Sequence, residues 1–198
     1  MTGKNKNVVL FAVLCVLIYW IGRSSSAAYL ESTTTLAKVG TVAPVFEMTT
    51  LTGEMVSNES TKGKVVVLVL FATWCGPCLD ELPEIEREIW GHFRQNPGFE
   101  MVAVGWEHSK AELIQFQHAE GFTFPLAPDP DGSVFARFAN EYVPRAFLID
   151  REGRIAYTSM GYDPASVGIL QGKIESALAK TPSPVAKAPQ SVPAKQPE

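Results

Sequence analysis

Two cysteines, Cys75 and Cys78, stand three positions apart in the stretch FATWCGPCLDELP, directly after an apolar run. A CxxC pair can form a structural disulfide, supply two ligands to a metal site, or act as a redox couple that exchanges electrons with other disulfides. Haem attachment would require a histidine after the second cysteine, and Leu79 occupies that position. The choice among the other three depends on where the pair lies in the fold.

The sequence offers few further ligands for a metal held by these two cysteines. A structural zinc site needs additional ligands, usually a second CxxC or paired histidines. The third cysteine, Cys15, lies in an apolar N-terminal run, and His92, His108 and His118 are isolated from one another. A static disulfide would close a very short loop and would therefore stabilise the fold little. We interpret the pair as redox-active and expect no metal.

A buried strand and a helix position the pair. KVVVLVLF, from Lys64 to Phe71, is continuous and β-branched, which is typical of a strand covered on both faces. The apolar residues that follow recur at helical intervals, and they are Leu79, Leu82, Ile85, Ile89 and Phe93. The cysteines thus begin a helix at the carboxyl end of a central strand, where α/β sheets place their sites. The helix dipole and free N–H groups there would stabilise a Cys75 thiolate, which favours redox activity.

Strands and helices continue to alternate along the chain. FEMVAVGW predicts a second buried strand, and SKAELIQFQHAEG predicts a helix with a capping box of Ser109 and Glu112 and with Gly121 at its end. After the turn PDPDG we expect a short helix around Val134 to Asn140. RAFLID and RIAYTSM then predict a hairpin around the turn REG.

These elements predict an α/β fold with a central mixed β-sheet flanked by helices. The last helix is expected to have Asp163 as its N-cap and Pro164 as its first residue, and to end near Ala179. Pro83 should kink the helix that follows the cysteines. The order is β-α-β-α-β-β-α, and VFEMTTLTGEMV adds an N-terminal β-hairpin in front of it.

The N-terminal part of the chain differs from this domain, which we assign to residues 39–180. Residues 8–28 are apolar enough to predict a transmembrane signal anchor, with residues 1–7 in the cytoplasm and the domain outside it, on the periplasmic side. A signal peptide cleaved near Ala28, which would release a soluble secreted protein, is the alternative. Residues 29–38 are interpreted as a linker.

The composition of the rest of the chain narrows the functional classes. Residues 181–198 are rich in proline, lack aromatic residues and are predicted to be disordered. The net charge is −4 and no basic aromatic patch occurs, so we expect no nucleic-acid partner. No flavin or nicotinamide fingerprint is present, so the redox-active disulfide itself is the expected redox centre and no separate cofactor is predicted.

The motifs together resemble a known family. WCGPC after an apolar strand, followed later by VPRAFLID, is similar to the thioredoxin superfamily. With VGTVAPVFEMTTLTGE and the N-terminal anchor, the chain resembles the exported TlpA/ResA-type thiol–disulfide oxidoreductases, which carry an AhpC/TSA-redoxin-like domain. The resemblance implies a thioredoxin fold that reduces disulfides in exported proteins, with apocytochromes c among the family's substrates. It also implies a thiol-based electron donor in the membrane.

The resemblance implies roles for three residues around the motif. Cys75 is the expected nucleophile, exposed at the start of the helix, and the more buried Cys78 resolves the mixed disulfide. Glu81 lies three residues after Cys78 and matches an acid that the family carries there. It would move protons to and from the Cys78 thiol. The alternative for Glu81 is an ordinary surface carboxylate near a helix N-terminus.

The resemblance also implies a surface for the substrate. Gly76 and Pro77 are the pair found in reducing thioredoxins, and Trp74 is expected to shield the site. Val143 and Pro144 match the family's cis-proline motif, which would lie beside Cys75 and leave the backbone of Val143 free to pair with a bound peptide. Arg145 stands where the family usually has Thr or Glu, a departure that leaves the partner specificity of this chain open.

Two other functions are considered. Peroxiredoxins share the opening VGTVAPVFEM, but they have Thr or Ser three residues before the peroxidatic cysteine and Pro four residues further back, where this chain has Ala72 and Leu68. A thiol peroxidase is therefore an alternative with a weaker motif. The other alternative is a tethered binding or chaperone module that holds extended chains without transferring electrons.

Overall fold

The computed structural model of the protein describes residues 29–180 and four positions of the N-terminal run, which are residues 10, 11, 13 and 14. The rest of the predicted anchor, its cleavage site near Ala28, and the proline-rich residues 181–198 lie outside the described residues. Within the described part of the chain, no helix is both long enough and apolar enough to cross a membrane.

Five strands form the central sheet, in the order β5-β4-β3-β6-β7. The middle strand β3 (Val65–Phe71) pairs in parallel with β4 (Phe99–Trp106) and antiparallel with β6 (Arg145–Ile149). On the outside, β5 (Leu126–Asp129) is parallel to β4, and β7 (Ile155–Met160) is antiparallel to β6. The mixed sheet predicted from the sequence is confirmed, and so is the hairpin of β6 and β7.

Strand β3 is buried on both faces, as its unbroken apolar sequence predicts. One hydrophobic core contains Val65, Val67, Val69 and Phe71 of β3. The same core contains buried residues of the helix that follows the cysteines and of the last helix. The intervening residues of β3 face a second core on the opposite side of the sheet. Because β3 is central and covered on both sides, it holds its carboxyl end, where the two cysteines begin, in a fixed position.

Strand β5 was not predicted from the sequence, because PDPDG has the composition of a turn. Pro128 is tolerated since β5 is an edge strand, where a missing N–H does not interrupt the sheet. The strand ends at Asp129, whose carboxylate accepts hydrogen bonds from the N–H groups of Val134 and Phe135 at 3.0 and 2.9 Å. The same residue therefore ends β5 and fixes the start of the short helix α4 (Phe135–Phe138).

The helix after the cysteines consists of three successive segments, which are α1 (Gly76–Glu84), a π-helical stretch (Ile85–Trp90) and α2 (Gly91–Phe93). Pro83 lies inside α1 and has no N–H to donate to the preceding turn. The wider hydrogen-bonding pattern begins two residues later. Where the sequence predicts a kink, the structure shows a change of helix type, and the helix continues.

The next helix, α3 (Lys110–Glu120), has the predicted ends. The hydroxyl of Ser109 accepts a hydrogen bond from the N–H of Glu112, and the Glu112 carboxylate accepts one from the N–H of Ser109, so the capping box is confirmed. Gly121 ends the helix with a φ of 75°, in the left-handed region that favours glycine.

The last helix, α5 (Ser166–Ala179), begins later than predicted. Asp163 is not its N-cap. Its carboxylate instead accepts a hydrogen bond from the N–H of Ala165 at 2.8 Å, and its carbonyl accepts one from the N–H of Ser166 at 2.8 Å. Asp163 and Pro164 therefore form a turn that leads into the helix.

The chain before β3 packs against both edges of the sheet. Strands β1 (Glu47–Thr49) and β2 (Met55–Ser57) form the predicted N-terminal hairpin, and the nearby N–H of Leu51 donates to Leu126 on the edge strand β5. At the other edge, Gly40 and Thr41 exchange backbone hydrogen bonds with the first residue of β7 at 2.8 and 2.9 Å.

The region interpreted as a linker also packs against the domain. Residues 29–34 are helical, and Thr34, Thr35 and Ala37 are buried. Thr35 forms an antiparallel bridge with Ala139, on the stretch that leads to the cis-proline motif. The packed part of the chain therefore includes residues ahead of position 39.

Candidate active site

Cys75 and Cys78 form a disulfide with a Cα–Cα distance of 5.3 Å, at the carboxyl end of β3. Cys75 is the N-cap of α1, and its Sγ accepts a hydrogen bond from the N–H of Cys78 at 3.3 Å. In the reduced protein, the same N–H and the positive end of the helix dipole would stabilise a thiolate at Cys75. The arrangement suits a cysteine that attacks another disulfide.

The two cysteines differ in their access to solvent. Cys75 is 7% exposed and Cys78 is fully buried, at 0%. From the sequence, Cys75 is expected to be exposed at the helix start, whereas most of its surface is covered in the oxidised protein. Cys75 is nevertheless the only one of the pair that an incoming substrate can reach directly.

The cis-proline motif lies beside the disulfide. The Val143–Pro144 peptide bond is cis, and the carbonyl oxygen of Val143 is 3.5 Å from the Sγ of Cys75. Both the predicted isomer and the predicted proximity are confirmed. In the oxidised protein Sγ carries no hydrogen, so this is a close contact, whereas a reduced Cys75 thiol has a hydrogen to donate to the carbonyl.

Glu81 is buried beneath the motif, one helical turn after Cys78. Glu81 is only 2% exposed, so it is not a surface carboxylate. Burial, and next the negative charge of Glu84, raise the pKa of Glu81 from 4.5 to about 7. Its Oε2 has no hydrogen-bond partner among the described residues. A carboxyl group in this state can hold or release a proton near neutral pH.

Exposed residues of the motif form the surface around Cys75. Gly76 and Pro77 are exposed at the first two positions of α1. Trp74 is 65% exposed, and its ring lies 6.0 Å from that of Trp106, which stacks on Phe135 at 4.3 Å. The indole of Trp74 is thus supported from one side and free on the other, where an apolar substrate side chain can pack against it.

His108 is a site residue that the sequence pattern does not predict, since it stands isolated from other candidate ligands. It is buried at the carboxyl end of β4, and its Nε2 accepts a hydrogen bond from the N–H of Thr73 at 2.9 Å. Thr73 lies two residues before Cys75, so this hydrogen bond from its N–H to the imidazole fixes the backbone that leads into the motif. The proximity of His108 to the motif could have been inferred from the topology, since β3 and β4 are adjacent parallel strands and end at the same edge of the sheet.

Arg145, the departure from the family pattern, does not face the substrate surface. It follows the cis-proline on β6, and it is 1% exposed. Its side chain therefore cannot contact a partner protein directly. Within the described residues, no group of three or more histidine, cysteine or acidic side chains is placed to hold a metal ion.

Comparisons with known proteins agree on one family. Residues 39–158 match the AhpC/TSA family. The thiol-disulfide oxidoreductase ResA of Bacillus subtilis (strain 168) is 30% identical over 161 residues, which are 81% of this chain and 88% of that protein.

Solved structures agree with this match. A candidate protein disulfide isomerase from Bacteroides thetaiotaomicron has a TM-score of 0.71 and 32% identity, covering 74% of this chain and 94% of its own. A thiol:disulfide interchange protein of the thioredoxin family from Chlorobium tepidum TLS has a TM-score of 0.57 and 25% identity, covering 72% and 98%. The predicted thioredoxin fold is confirmed.

Proposed function

Because the chain belongs to the AhpC/TSA family and is a thioredoxin-like thiol–disulfide oxidoreductase, we propose that it reduces disulfides in exported proteins with Cys75 and Cys78 as its dithiol. The observation that carries the proposal is the position of the Cys75 Sγ. It lies at the N-terminus of α1 and 3.5 Å from the carbonyl of Val143. A nucleophile and a strip of backbone that can bind an extended chain therefore share one surface.

The reaction has two exchange steps. The Cys75 thiolate attacks one sulfur of the substrate disulfide, forming a mixed disulfide, and the other substrate sulfur leaves as a thiolate that takes up a proton. Cys78 then loses its proton and attacks Cys75, which releases the second substrate thiol and forms the Cys75–Cys78 disulfide. Two electrons have passed from the protein to the substrate. A dithiol donor must reduce the protein before the next cycle.

Glu81 is the proposed proton acceptor for Cys78. Cys78 is fully buried, so its thiol has no direct access to water when it must ionise. Glu81 lies one helical turn further on, also buried, with a pKa raised to about 7 by burial and by Glu84. Near neutral pH, part of the Glu81 population is ionised and able to take the proton.

The substrate is held beside Cys75 in this proposal. The backbone of Val143, ahead of Pro144, pairs with an extended segment of the partner, which needs no particular side chains. The exposed indole of Trp74 and the backbone of Gly76 and Pro77 cover the segment from the other side. Such a surface accepts many unfolded or extended polypeptides, which suits a reductase with several substrates.

We place the protein at a membrane, with its domain on the periplasmic side. The support is the apolar run in residues 8–28, with Lys4 and Lys6 ahead of it. Exported proteins with oxidised cysteines are then the available substrates, and apocytochromes c are the class we favour. Since that compartment is oxidising, a membrane protein that carries thiol electrons outward must recharge the dithiol.

A trapping experiment tests the function. Cys78→Ser removes the resolving thiol and should accumulate mixed disulfides between Cys75 and its partners, visible on non-reducing gels and released by dithiothreitol. The matched variant Cys75→Ser should trap far less, because Cys78 is buried. Equal trapping by both variants would reverse the assigned roles. No trapping by either would contradict protein disulfides as substrates.

A second assay compares the reaction classes. The protein should accelerate insulin reduction by dithiothreitol and should reduce a peptide whose CxxCH segment is oxidised, as in apocytochromes c. Peroxide consumption should be absent, because Ala72 and Leu68 are buried apolar residues without a group to bind peroxide. Peroxide turnover without insulin reduction would favour the peroxidase, and neither activity would favour a binding module.

A further inference from the structure

Arg145 is a fully buried cation that needs an explanation. It is 1% exposed, and among the described residues its guanidinium makes no ion pair with a carboxylate. Burial lowers the pKa of Arg145, and the more distant charges of Glu31 and Glu141 oppose that shift. Arginine stays charged inside proteins, so its buried N–H donors must all find acceptors.

Three of the six hydrogen bonds that Arg145 donates go to residues 138–143, from the end of α4 to the cis-proline motif, which we call the 138–143 loop. The Nε of Arg145 donates to the carbonyls of Glu141 and Tyr142, both at 2.9 Å, and Nη2 donates to Glu141 at 2.7 Å. Tyr142 has a φ of 66°, a left-handed conformation that is unusual for a bulky residue. It immediately precedes Val143, so the guanidinium fixes the backbone that leads into the substrate surface.

Two more of these bonds go to residues 29–37, which we call the N-terminal segment, and the last runs from Nη2 to the Sδ of Met160 on β7 at 3.4 Å. Nη1 of Arg145 donates to the hydroxyl of Thr35 at 2.7 Å, and Nη2 donates to that of Thr34 at 2.6 Å. Backbone bonds run beside these contacts, because the N–H of Asn140 donates to Thr34 at 3.1 Å and the N–H of Leu36 donates to Phe138 at 2.9 Å. One side chain therefore joins two stretches of chain that are far apart in sequence.

We propose that Arg145 is a positioning residue that couples the N-terminal segment to the 138–143 loop and thereby sets the affinity for polypeptide substrates. The inference rests on the proposed function, because it concerns how Val143 is presented to a bound chain. The planar guanidinium of Arg145 donates hydrogen bonds to both stretches at once and therefore fixes their relative position. If the acceptors of one stretch are lost, the guanidinium keeps an unsatisfied buried donor and the loop loses its fixed position.

The consequence is specific to large substrates. An extended polypeptide pairs with the backbone at Val143, so its binding depends on the position of the loop. Dithiothreitol reaches the Cys75–Cys78 disulfide without using that backbone. A disturbance in the N-terminal segment should therefore weaken polypeptide binding and leave the reactivity of the disulfide unchanged, although the segment contacts neither cysteine.

Thr35→Val in the full chain tests this coupling. Valine has the shape of threonine but removes the acceptor that Nη1 has among the described residues. Thr33→Val is the matched control, since the hydroxyl of Thr33 is exposed and, within the described part of the chain, donates to the carbonyls of Tyr29 and Leu30 alone. The probe is a peptide closed by one disulfide. Thr35→Val should raise its KM about three- to tenfold with kcat unchanged, whereas Thr33→Val should match the wild type.

Two further measurements make the result decisive. Reduction of the Cys75–Cys78 disulfide by dithiothreitol should proceed at the wild-type rate in both variants. Hydrogen exchange at the N–H of Asn140 should be severalfold faster in Thr35→Val alone. Arg145→Lys keeps the charge but loses the fork, so it should act in the same direction and more strongly.

The outcomes separate the coupling from the proposed function. Unchanged KM and unchanged exchange in Thr35→Val would refute the coupling. A rise in KM accompanied by a fall in kcat and slower reduction by dithiothreitol would also refute it, because that pattern indicates general damage to the fold. If the wild-type protein fails to reduce the peptide, the proposed function is wrong, and the exchange measurement alone then decides whether Arg145 couples the two stretches.

Discussion

Replacing Glu81 by glutamine should change how the stability of the oxidised protein depends on pH. Burial and the charge of Glu84 raise the pKa of Glu81 in the folded protein from 4.5 to about 7. The folded protein therefore holds this proton more tightly than the unfolded chain does. The resulting stabilisation is fully present below about pH 4.5 and is lost as the pH rises through about 7.

The size of this loss follows from the two pKa values. One pKa unit corresponds to about 1.4 kcal/mol of free energy. The rise from 4.5 to about 7 therefore removes about 3 kcal/mol of unfolding free energy between pH 4 and pH 8. Glutamine does not titrate, so Glu81→Gln should lack this part of the slope. Any fixed cost of burying the amide shifts the whole curve and leaves its slope unchanged.

Chemical denaturation at a series of pH values measures the effect. The oxidised wild type, Glu81→Gln and Asp80→Asn should be unfolded in urea from about pH 4 to pH 8, with the unfolding free energy plotted against pH. Asp80 is an exposed carboxylate of the same helix, so its variant should follow the wild-type slope. If Glu81→Gln also follows that slope, Glu81 titrates normally and the proposed proton acceptor role loses its basis.

Three other substitutions test separate contacts. His108→Phe should destabilise the fold by about 1–3 kcal/mol and slow insulin reduction, because it leaves the N–H of Thr73 unsatisfied; wild-type stability and rate would show that the contact is dispensable. Gly105→Ala should cost about 1–3 kcal/mol, since the added Cβ would lie 2.7 Å from Cδ2 of Leu113, and a wild-type melting temperature would mean that Leu113 can move away. Gly168 lies in α5 with open space around the position of a Cβ. Gly168→Ala should therefore raise the unfolding free energy by about 0.5–1 kcal/mol. A loss of stability would show that the helix needs glycine at this position.

Features that depend on local sequence could be predicted. The unbroken apolar run of β3 and the capping box of α3 are each specified within a few residues, and both are present. The cis bond at Pro144 was predicted from a family motif. These patterns are informative because the physical cause, such as burial on both faces or a free N–H at a helix start, acts over one or two turns of chain.

Features that depend on contacts distant in sequence could not be predicted. The sequence places Glu81 on the first turns of a helix, where a carboxylate is usually exposed, and only the packing of the helix on the sheet buries it. The bond between His108 and Thr73 requires the register of β3 against β4. The contacts of Arg145 with Thr35 and Thr34 join residues 110 and 111 positions apart in the sequence. In each case the contact forms only because the topology of the fold brings the two residues together.

The cover over both edges of the sheet also bears on how copies of this protein avoid joining one another. An uncovered edge strand presents free N–H and C=O groups that can pair with a strand of a second chain and start aggregation. Here Gly40 and Thr41 bond to Ile155 on one edge, and Leu51 bonds to Leu126 on the other. All three covering residues are synthesised before the strands they cover, so each edge can meet its own cover as soon as it forms. Sheet-to-sheet polymerisation is thus opposed from within the chain during folding.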